Sequence, residues 1–464
     1  MKKLVAFLFF VCSMFFCKAQ NDSIQILKIE SFIEKVKLHH PLAKVADITL
    51  QKAKANLLSA KGVFDPSIEI DTRQKTFDSK NYYNYNNAAL KIPLPIGEIK
   101  TGIENNNGQF LLSEISSGRN SYAGIEVPLV KGLLIDKRRA ALQQAKIAIN
   151  LNDAERKMML NELLFDAYQT YYNWVAAYKL YNVFSDYVKV SNDRLRLVKI
   201  TFKNGDRAAM DTTEAQIQLQ SFLIQQADAQ MKYNSAKYLL NNFLWDANAV
   251  PQSLNDNILP DTNLLGNIII TSTLLQAMNN TVQQNPILQQ YKFKIDGLQV
   301  DKKLKFQELL PTVNLKANIL SKDYYTFKNN GPAFLDNNNT WGINLKIPLR
   351  FREGRGAYKL AKLKIEESIY ELQQKKLEIE NKVKDYYNQL SLLQKQLDVA
   401  SETNFNYKAL LRNEILRYNN GESSLFLVNS RENKMLEIQQ KIIELQFKLV
   451  KTKYSLDLTS GIIN

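Results

Sequence analysis

The chain has 464 residues, a formal net charge of +15, and only two histidines and two cysteines. So few of these residues leave little with which to build a Cys/His metal site or a disulfide framework. The basic residues alternate with acidic ones, for example between Glu366 and Glu380. This pattern indicates a solvated helix surface and argues against a nucleic-acid partner.

Residues 1–20 have the pattern of a secretory signal peptide. Lys2 and Lys3 precede an apolar stretch that ends at Phe16, and we expect cleavage near Gln20. Both cysteines lie inside this leader, and its three lysines account for a fall in formal charge from +15 to +12 on removal. The sequence beyond it has no apolar run of about 18 residues, so entry into a membrane would require strands.

The rest of the sequence is a duplicated unit. Four markers recur in the same order, and the pairs are Pro41 with Pro286, Pro66 with Pro311, Pro128 with Pro348, and Gly205 with Gly421. The first two pairs are 245 residues apart, and the last two are 220 and 216 residues apart. Each half therefore predicts a helix, a strand region, a very long helix, an Asn-Gly turn and a second helix.

The predicted elements follow this division. The first repeat, 21–246, is predicted to hold a helix at 41–63, strands at 66–130, a long helix at 133–204 and a helix at 206–246. An equatorial linker is predicted at 247–275. The second repeat, 276–464, is predicted to hold a helix at 286–308, strands at 311–349, a long helix at 357–420 and a helix at 422–457.

The prediction of two long helices rests on the absence of residues that break helices. Neither glycine nor proline occurs in the 72 residues of 133–204 or the 64 residues of 357–420. At about 1.5 Å per residue the first would be about 100 Å long. Apolar residues at steps of three and four, such as Ile147, Leu151 and Ala154, predict a coiled-coil stripe. Aromatic residues around Trp174 predict packing between helices, and we expect further packing against other copies.

The strand regions alternate between apolar and polar residues. Trp341, Ile343 and Leu345 alternate with polar or small neighbours, and segments of about 9–11 such residues are typical of a transmembrane β-barrel. A soluble sheet lying on a core has the same periodicity and stays an alternative. We count two strands in each half, and the asparagine-rich segments 81–87 and 105–108 predict loops.

The first half has a longer strand region than the second. Pro66 and Pro128 are 62 residues apart, whereas Pro311 and Pro348 are 37 apart, and the extra stretch is compatible with an added hairpin. Four strands per chain cannot close a barrel, for which about eight are the practical minimum. Unpaired strand edges are not tolerated in lipid, so we expect oligomerisation, and three copies would supply twelve strands.

Together these features resemble the TolC-type outer-membrane efflux proteins. The resemblance is carried by the signal peptide, the duplicated unit, the helix starts at Pro41 and Pro286, the turns expected at Gly132 and Gly356, and the Asn-Gly tips. It implies a mainly α fold with a membrane β part: a homotrimeric, 12-stranded β-barrel in the outer membrane of a Gram-negative bacterium, continued by a long α-helical barrel in the periplasm. It further implies a passive exit duct for an RND or ABC-type inner-membrane pump and a periplasmic adaptor (membrane fusion) protein.

In that family the helix tips form the periplasmic gate and the adaptor-binding surface. The matching residues here are Asn204, Gly205, Asp206, Arg207, Asp211, Glu214, Tyr418, Asn420, Gly421, Glu422 and Ser423. Asp211 and Tyr418 match an acidic residue and a tyrosine of the family's closed latch. Where the family has an arginine and two aspartates after the second tip glycine, this chain has Ser423, Leu427 and Ser430. The charges of the first tip are therefore candidates to replace that acidic ring.

Other functions fit the sequence less well. A secreted periplasmic coiled-coil scaffold without a pore, a type I protein-secretion duct, and a periplasmic hydrolase are the alternatives. His39 and His40 are adjacent, so their side chains point apart on a helix, and a third metal ligand is lacking nearby. We therefore assign no catalytic residue, no metal ligand and no cofactor.

Overall fold

The computed structural model describes residues 25–112, 115–266, 274–322, 324, 327–328, 331–332, 337–461 and 463. The predicted signal peptide at 1–20 lies outside the described residues, as does the part of the predicted linker at 267–273. The chain divides into two compact units. Unit 1 takes its residues from Met1–Lys44, Leu160–Ala277 and Lys382–Asn464, and unit 2 from Val45–Met159 and Met278–Asn381.

The described part of the chain is mainly helical. The α-helices are α1 (Ile29–His39), α2 (Pro41–Gly62), α3 (Lys137–Lys203), α4 (Ala209–Asn241), α5 (Leu274–Gln284), α6 (Pro286–Gln307), α7 (Arg352–Asn419) and α8 (Leu425–Ser460). The two halves repeat these elements at similar lengths. Helices α2 and α6 both have 22 residues, α3 and α7 have 67 and 68, and α4 and α8 have 33 and 36.

Several helix starts are set by side-chain caps. The Asn285 side chain accepts hydrogen bonds from the N–H groups of Ile287 (2.9 Å) and Leu288 (3.3 Å), and Pro286 follows in the first turn. Asp136 Oδ1 accepts from the N–H of Arg139 (2.8 Å) immediately before α3. These acceptors satisfy N–H groups that have no partner within the helix, which explains where the helices begin.

Within the described ranges, the strands form one large sheet and two small ones. They are β1 (Gln25–Leu27), β2 (Ser67–Phe77), β3 (Lys80–Pro93), β4 (Glu98–Asn107), β5 (Gly118–Pro128), β6 (Ile258–Pro260), β7 (Thr312–Lys322), β8 (Phe327–Lys328), β9 (Gly331–Pro332) and β10 (Asn339–Lys346). The large sheet has six strands in the order β10-β7-β5-β4-β3-β2, all antiparallel. β1 pairs with β6 in parallel, and β8 pairs with β9.

The predicted count of four strands is too low, because the asparagine-rich segments are strands rather than loops. Residues 81–87 lie in β3 and Asn105–Asn107 in β4, where the backbone of Asn84 is in register with Gln74 on one side and Asn107 on the other. Side-chain amides also bond along the strand, as from Asn86 to Asn84 (2.9 Å). Polar composition suggested a loop, but pairing on both sides decides the structure.

The start of the second long helix also differs from the prediction. Helix α7 begins at Arg352 rather than at 357, so Gly356 is helical and not a turn residue, whereas Gly132 does adopt a positive φ of +91°. A Cβ on Gly354 would lie 2.7 Å from the carbonyl oxygen of Glu308. The glycine thus permits a close backbone contact with the end of α6 rather than a turn.

The core of unit 1 is built from aromatic residues of different helices. Phe32 on α1 stacks on Tyr171 of α3 with ring centroids 5.6 Å apart, and Trp174 beside it is fully buried. Tyr168 of α3 stacks on Tyr454 of α8 at 4.0 Å. These contacts confirm that the aromatic cluster packs between helices.

Among the described residues, no helix combines the length and the apolar character needed to cross a membrane. Helices dominate the described chain, and a smaller set of strands lies between them. The predicted mainly α fold with a β part is confirmed at this level.

Candidate functional site

The candidate site consists of two helical tips in unit 1. Tip 1 (residues 204–208) joins α3 to α4, and it turns at Gly205, whose φ is +85°. The N–H of Gly205 donates to the carbonyl of Phe202 (3.0 Å), and the N–H of Asp206 donates to that of Thr201 (3.0 Å). This pair of bonds is the Schellman pattern, in which a left-handed residue satisfies the last carbonyls of a helix.

Tip 2 (residues 420–424) joins α7 to α8 and repeats this geometry. Gly421 has a φ of +82°. Its N–H donates to the carbonyl of Tyr418 (3.1 Å), and the N–H of Glu422 donates to that of Arg417 (2.9 Å). The side chain of Ser424 then caps α8 by accepting from the N–H of Leu427 (3.3 Å). The duplicated sequence thus produces two tips of the same construction.

Most of the predicted tip residues are exposed. They are Asn204, Gly205, Asp206, Asn420, Gly421 and Glu422, whereas Arg207, Asp211, Glu214, Tyr418 and Ser423 are partly buried. The exposed residues form the turns themselves.

Arg207 and Tyr418 connect the two tips directly. The guanidinium carbon of Arg207 lies 4.2 Å from the centroid of the Tyr418 ring, and Arg207 Nη2 donates to the Tyr418 carbonyl (2.9 Å). A cation over an aromatic face adds to the hydrogen bond. Arg207 of the first tip therefore contacts both the ring and the backbone of Tyr418.

Burial and charged groups both act on the pKa of Tyr418. Burial raises the pKa of Tyr418, the cations Arg207 and Arg194 act to lower it, and the anions Asp211 and Glu214 act to raise it. Of the predicted site residues, Arg207 and Tyr418 are in direct contact, whereas Asp211 and Glu214 act on Tyr418 through their charge. Tyr418 is neutral at physiological pH in this setting.

The second tip has its own buried acid. Ser423 Oγ donates to Glu414 Oε1, and Arg431 Nε lies 3.8 Å from Glu414 Oε2. Ser423 occupies the position where the resemblance leads one to expect an arginine. Here it stabilises a glutamate of the preceding helix, and Arg431 supplies the positive charge from α8.

A buried polar network lies behind the tips, and sequence reasoning missed it. Arg194 of α3 donates from both terminal nitrogens to Glu432 of α8, each at 2.7 Å, and Glu432 is 2% exposed. Arg194 also donates to Asn429 (3.2 Å), and Asn429 donates to Glu214 of α4 (3.2 Å). The network therefore ties three helices together. Its sequence signal is that Glu432 stands at an apolar stripe position, between Val428 and Leu436.

The structure offers no support for a metal centre in the part of the chain that it describes. No group of three or more His, Cys, Asp or Glu side chains there is arranged to hold a metal ion. His40 is buried against Phe243 (ring centroids 5.7 Å apart), and its Nδ1 accepts from the N–H of Leu42 (3.2 Å). Burial lowers the pKa of His40, and a backbone hydrogen bond with Asn242 opposes this. His40 therefore acts as a helix cap in the core.

Comparison with known proteins identifies the family. A family model described as "Outer membrane efflux protein" matches residues 277–461. These residues belong to the outer membrane efflux protein family. Since the structure repeats the same elements in the first half, the resemblance to TolC-type proteins is confirmed. No curated protein sequence matches the chain.

Solved structures of outer-membrane channels and proteins share the fold of this chain. VceC from Vibrio cholerae is 14% identical, with a TM-score of 0.64 over 93% of this chain and 96% of that chain. MtrE from Neisseria gonorrhoeae is 13% identical, with a TM-score of 0.66 over 93% and 88%. CmeC from Campylobacter jejuni is 15% identical, with a TM-score of 0.63 over 93% and 85%. At these identities the likeness concerns the fold.

Family and fold together settle the class of function. The efflux protein is an exit duct of the Gram-negative outer membrane that extends into the periplasm, as predicted, and this is favoured over a scaffold without a pore. Its family consists of passive channels that work in tripartite systems rather than of enzymes.

Proposed function

We propose that the efflux protein works as a homotrimer that forms a passive duct through the outer membrane. The observation that carries this proposal is an exposed apolar stripe on α4. Its residues recur every seven positions and are each 60–74% exposed, and they are Met210, Ile217, Ile224, Met231 and Tyr238. Sustained seven-residue spacing is typical of a helix face that packs against another helix.

A second apolar stripe on α4 is buried within the chain. Ala215, Phe222, Ala229 and Ala236 recur every seven residues and are at most 2% exposed. The two stripes are offset by two positions, about 200° around the helix, so they lie on opposite faces. One face of α4 packs within the chain, and the other is left for a neighbouring copy.

Unit 2 also has surfaces without a partner in the described chain, namely exposed apolar residues on α7 and the two edges of the sheet. Leu363, Tyr370 and Leu377 are exposed at seven-residue spacing on α7. Among the described residues, the six-stranded sheet ends in β2 and β10, each of which pairs with a neighbour on its inner edge only. Because a strand edge in lipid must find a hydrogen-bonding partner, a sheet of this size requires other copies to close it.

The exposed tips are proposed to bind the partners of a tripartite system. A periplasmic adaptor protein would contact the exposed turns at Asn204–Asp206 and Asn420–Glu422, and an inner-membrane RND or ABC-type pump would supply the cargo. Nothing in this role requires catalysis or a cofactor. Outer-membrane lipid would surround the sheet.

The contact between Arg207 and Tyr418 is proposed to hold the periplasmic gate closed. It links the two tips of one chain, and Asp211 lies in the first turn of the helix that follows Arg207. Opening would separate these side chains. We therefore expect Asp211→Ala to raise the conductance of the isolated trimer in a planar bilayer, and an unchanged conductance would contradict a role for Asp211 in closure.

The test of the homotrimer uses the exposed stripe of α4. Ile224→Glu places a charge at its centre and is expected to shift the detergent-extracted protein from three copies to one in light-scattering mass measurements. Gln230→Glu is the matched control, because it adds the same charge to an exposed position on another side of the same helix. A wild-type protein that is already monomeric, or an Ile224→Glu trimer as stable as the control, would contradict the proposal.

A further inference from the structure

Two strands of the large sheet, β3 and β4, have no counterpart in that sheet among the described residues of the second repeat, where only the two-residue strands β8 and β9 lie between β7 and β10. In the second half β7 pairs directly with β10, whereas in the first half β3 and β4 stand between β2 and β5. They are not appended to an edge. Backbone pairing runs without a break from Asn84↔Asn107 to Pro93↔Glu98 and on from Glu98↔Glu126 to Asn106↔Gly118.

The β3–β4 hairpin is long enough to cross a membrane. β3 has 14 residues and β4 has 10, and a tilted transmembrane strand needs about 9–11. The β2–β3 turn is made by Asp78 and Ser79, both with positive φ. The β3–β4 turn at Gly97 lies at the other end of the sheet, where Arg138 of α3 donates to the Gly97 carbonyl (3.4 Å).

The apolar face and the polar face of the sheet both continue across the hairpin. One apolar row crosses five neighbouring strands in register, and its members are Ile92, Ile99, Ile125, Ala317 and Trp341. Leu90 and Ile103 lie on this same face and are exposed. The opposite face is polar across the same strands, with ion pairs between Lys91 and Glu69 and between Lys316 and Glu126 (3.1 Å).

Tyr122 fastens the hairpin to the rest of the sheet. It lies on the polar face of β5, and a Cβ on Gly102 of β4 would come within 2.9 Å of its ring. Its hydroxyl donates to Asn87 Oδ1 on β3 (3.1 Å). One side chain therefore spans three strands, which is the arrangement expected of a hairpin that is fixed in the wall.

We propose that β3 and β4 are part of the membrane wall, so that the efflux protein closes an 18-stranded barrel instead of the 12-stranded one implied by the resemblance. This inference rests on the proposed trimer, because three copies of a six-stranded sheet give eighteen strands. The edge strands β2 and β10 run in opposite directions, so copies joined edge to edge continue the antiparallel pattern. Because barrel diameter grows roughly in proportion to strand number, the barrel is about one and a half times as wide.

Electron cryomicroscopy of the detergent-purified full-length protein tests this directly. A trimer with eighteen strands in its ring is expected. A trimer with twelve strands and the β3–β4 hairpin outside the ring would overturn the inference and leave the proposed function intact. A particle that is not a trimer would instead contradict the proposed function.

A deletion supplies a matched comparison. Removing residues 80–107 joins β2 to the loop before β5, which is the arrangement of β7 and β10 in the second half. A trimer with six fewer strands is expected from this variant. An unchanged strand number would overturn the inference.

Single cysteines provide a test that does not depend on the deletion variant folding. The sequence from residue 21 onward contains no cysteine. In liposomes, Ile103→Cys is expected to react with a membrane-impermeant maleimide at least tenfold more slowly than Lys100→Cys, which lies on the polar face of the same strand. Equal reactivity of the two positions would show that the hairpin is not part of the membrane wall.

Discussion

Arg194 and Glu432 form a two-pronged ion pair, with both nitrogen–oxygen distances at 2.7 Å, and each residue lies eleven positions from the glycine of its own tip. The duplicated helices thus meet at matched heights, about 16 Å from the turns at 1.5 Å per residue. Glu432 is almost completely buried. The pair fixes the alignment of α3 with α8 behind the two tips.

We expect loss of one partner of this pair to be costly. Glu432→Gln leaves the Arg194 charge without its partner, and breaking a buried pair in this way destabilises by about 3–5 kcal/mol. The double variant Arg194→Met/Glu432→Met is expected to recover most of that loss, because it leaves no unpaired charge. Guanidinium unfolding of the detergent-solubilised protein measures both.

An exposed ion pair on the same helix is the control. Arg196 and Asp193 approach to 3.6 Å with most of both side chains in solvent. Asp193→Asn is therefore expected to change the free energy of unfolding by about 0.5 kcal/mol or less. Equal effects of Glu432→Gln and Asp193→Asn would show that the buried pair does not hold the helices together.

Two glycines of α7 are expected to respond in opposite directions to the same substitution. Gly356 is helical with open space around it, so Gly356→Ala should stabilise by about 0.5–1 kcal/mol. A Cβ on Gly354 would lie 2.7 Å from the Glu308 carbonyl oxygen, so Gly354→Ala should destabilise by about 1–3 kcal/mol. Thermal unfolding of both variants checks this, and stabilisation by both would contradict the close approach of α6 to α7.

Variants of Tyr418 can distinguish the role of its ring from that of its hydroxyl in the proposed gate contact. Arg207 contacts the ring face and the backbone carbonyl, so Arg207→Ala and Tyr418→Ala are expected to raise the single-channel conductance, whereas Tyr418→Phe should leave it near the wild-type value. Lys203→Ala removes an equal charge from an exposed position nearby and is the control. A rise in Tyr418→Phe as large as that in Tyr418→Ala would assign closure to the hydroxyl instead.

Acidification is expected to weaken unit 1 through His40. Burial lowers the pKa of His40 below its ordinary value of 6.5. Between the two pKa values, His40 is therefore protonated in the unfolded state but neutral in the folded state. Stability is therefore complete above about pH 6.5 and falls as the pH drops toward the folded pKa. Protonation of Nδ1 would also remove the acceptor for the Leu42 N–H. The unfolding midpoint measured from pH 7.5 to 5.5 should show this decline.

The second half of the chain supplies the matched variant. Asn285 occupies the position equivalent to His40 and caps α6 with a side chain that does not titrate. His40→Asn should keep the cap and flatten the pH dependence, whereas His39→Asn should leave it as in the wild type. A decline that persists in His40→Asn would assign the effect to other groups.

Features set by local backbone chemistry were predictable from the sequence. Gly205 and Gly421 stand at the tips because a left-handed turn must end a helix there, and Pro286 marks the start of α6. The repeated order of these markers also predicted the duplicated architecture. Such residues act on their immediate neighbours, so one sequence is enough to locate them.

Features set by distant partners were not predictable. Asn84 looks like a loop residue until β2 and β4 are seen to pair on both sides of it. Nothing near Gly354 in the sequence indicates its close approach to the Glu308 carbonyl. The ion pair of Glu432 cannot be predicted from the sequence, because its partner, Arg194, is 238 residues away. In each case the deciding contact is long-range, and sequence spacing carries no information about it.

In the proposed trimer, identical copies cover the exposed stripe of α4 and the open edges of the sheet. The mass and outline of the mature protein extracted in detergent, measured by light scattering and electron microscopy, show whether they do. We expect a particle of three copies with threefold symmetry and a central lumen. A stable single-copy particle without a lumen, soluble in the absence of detergent, would contradict it.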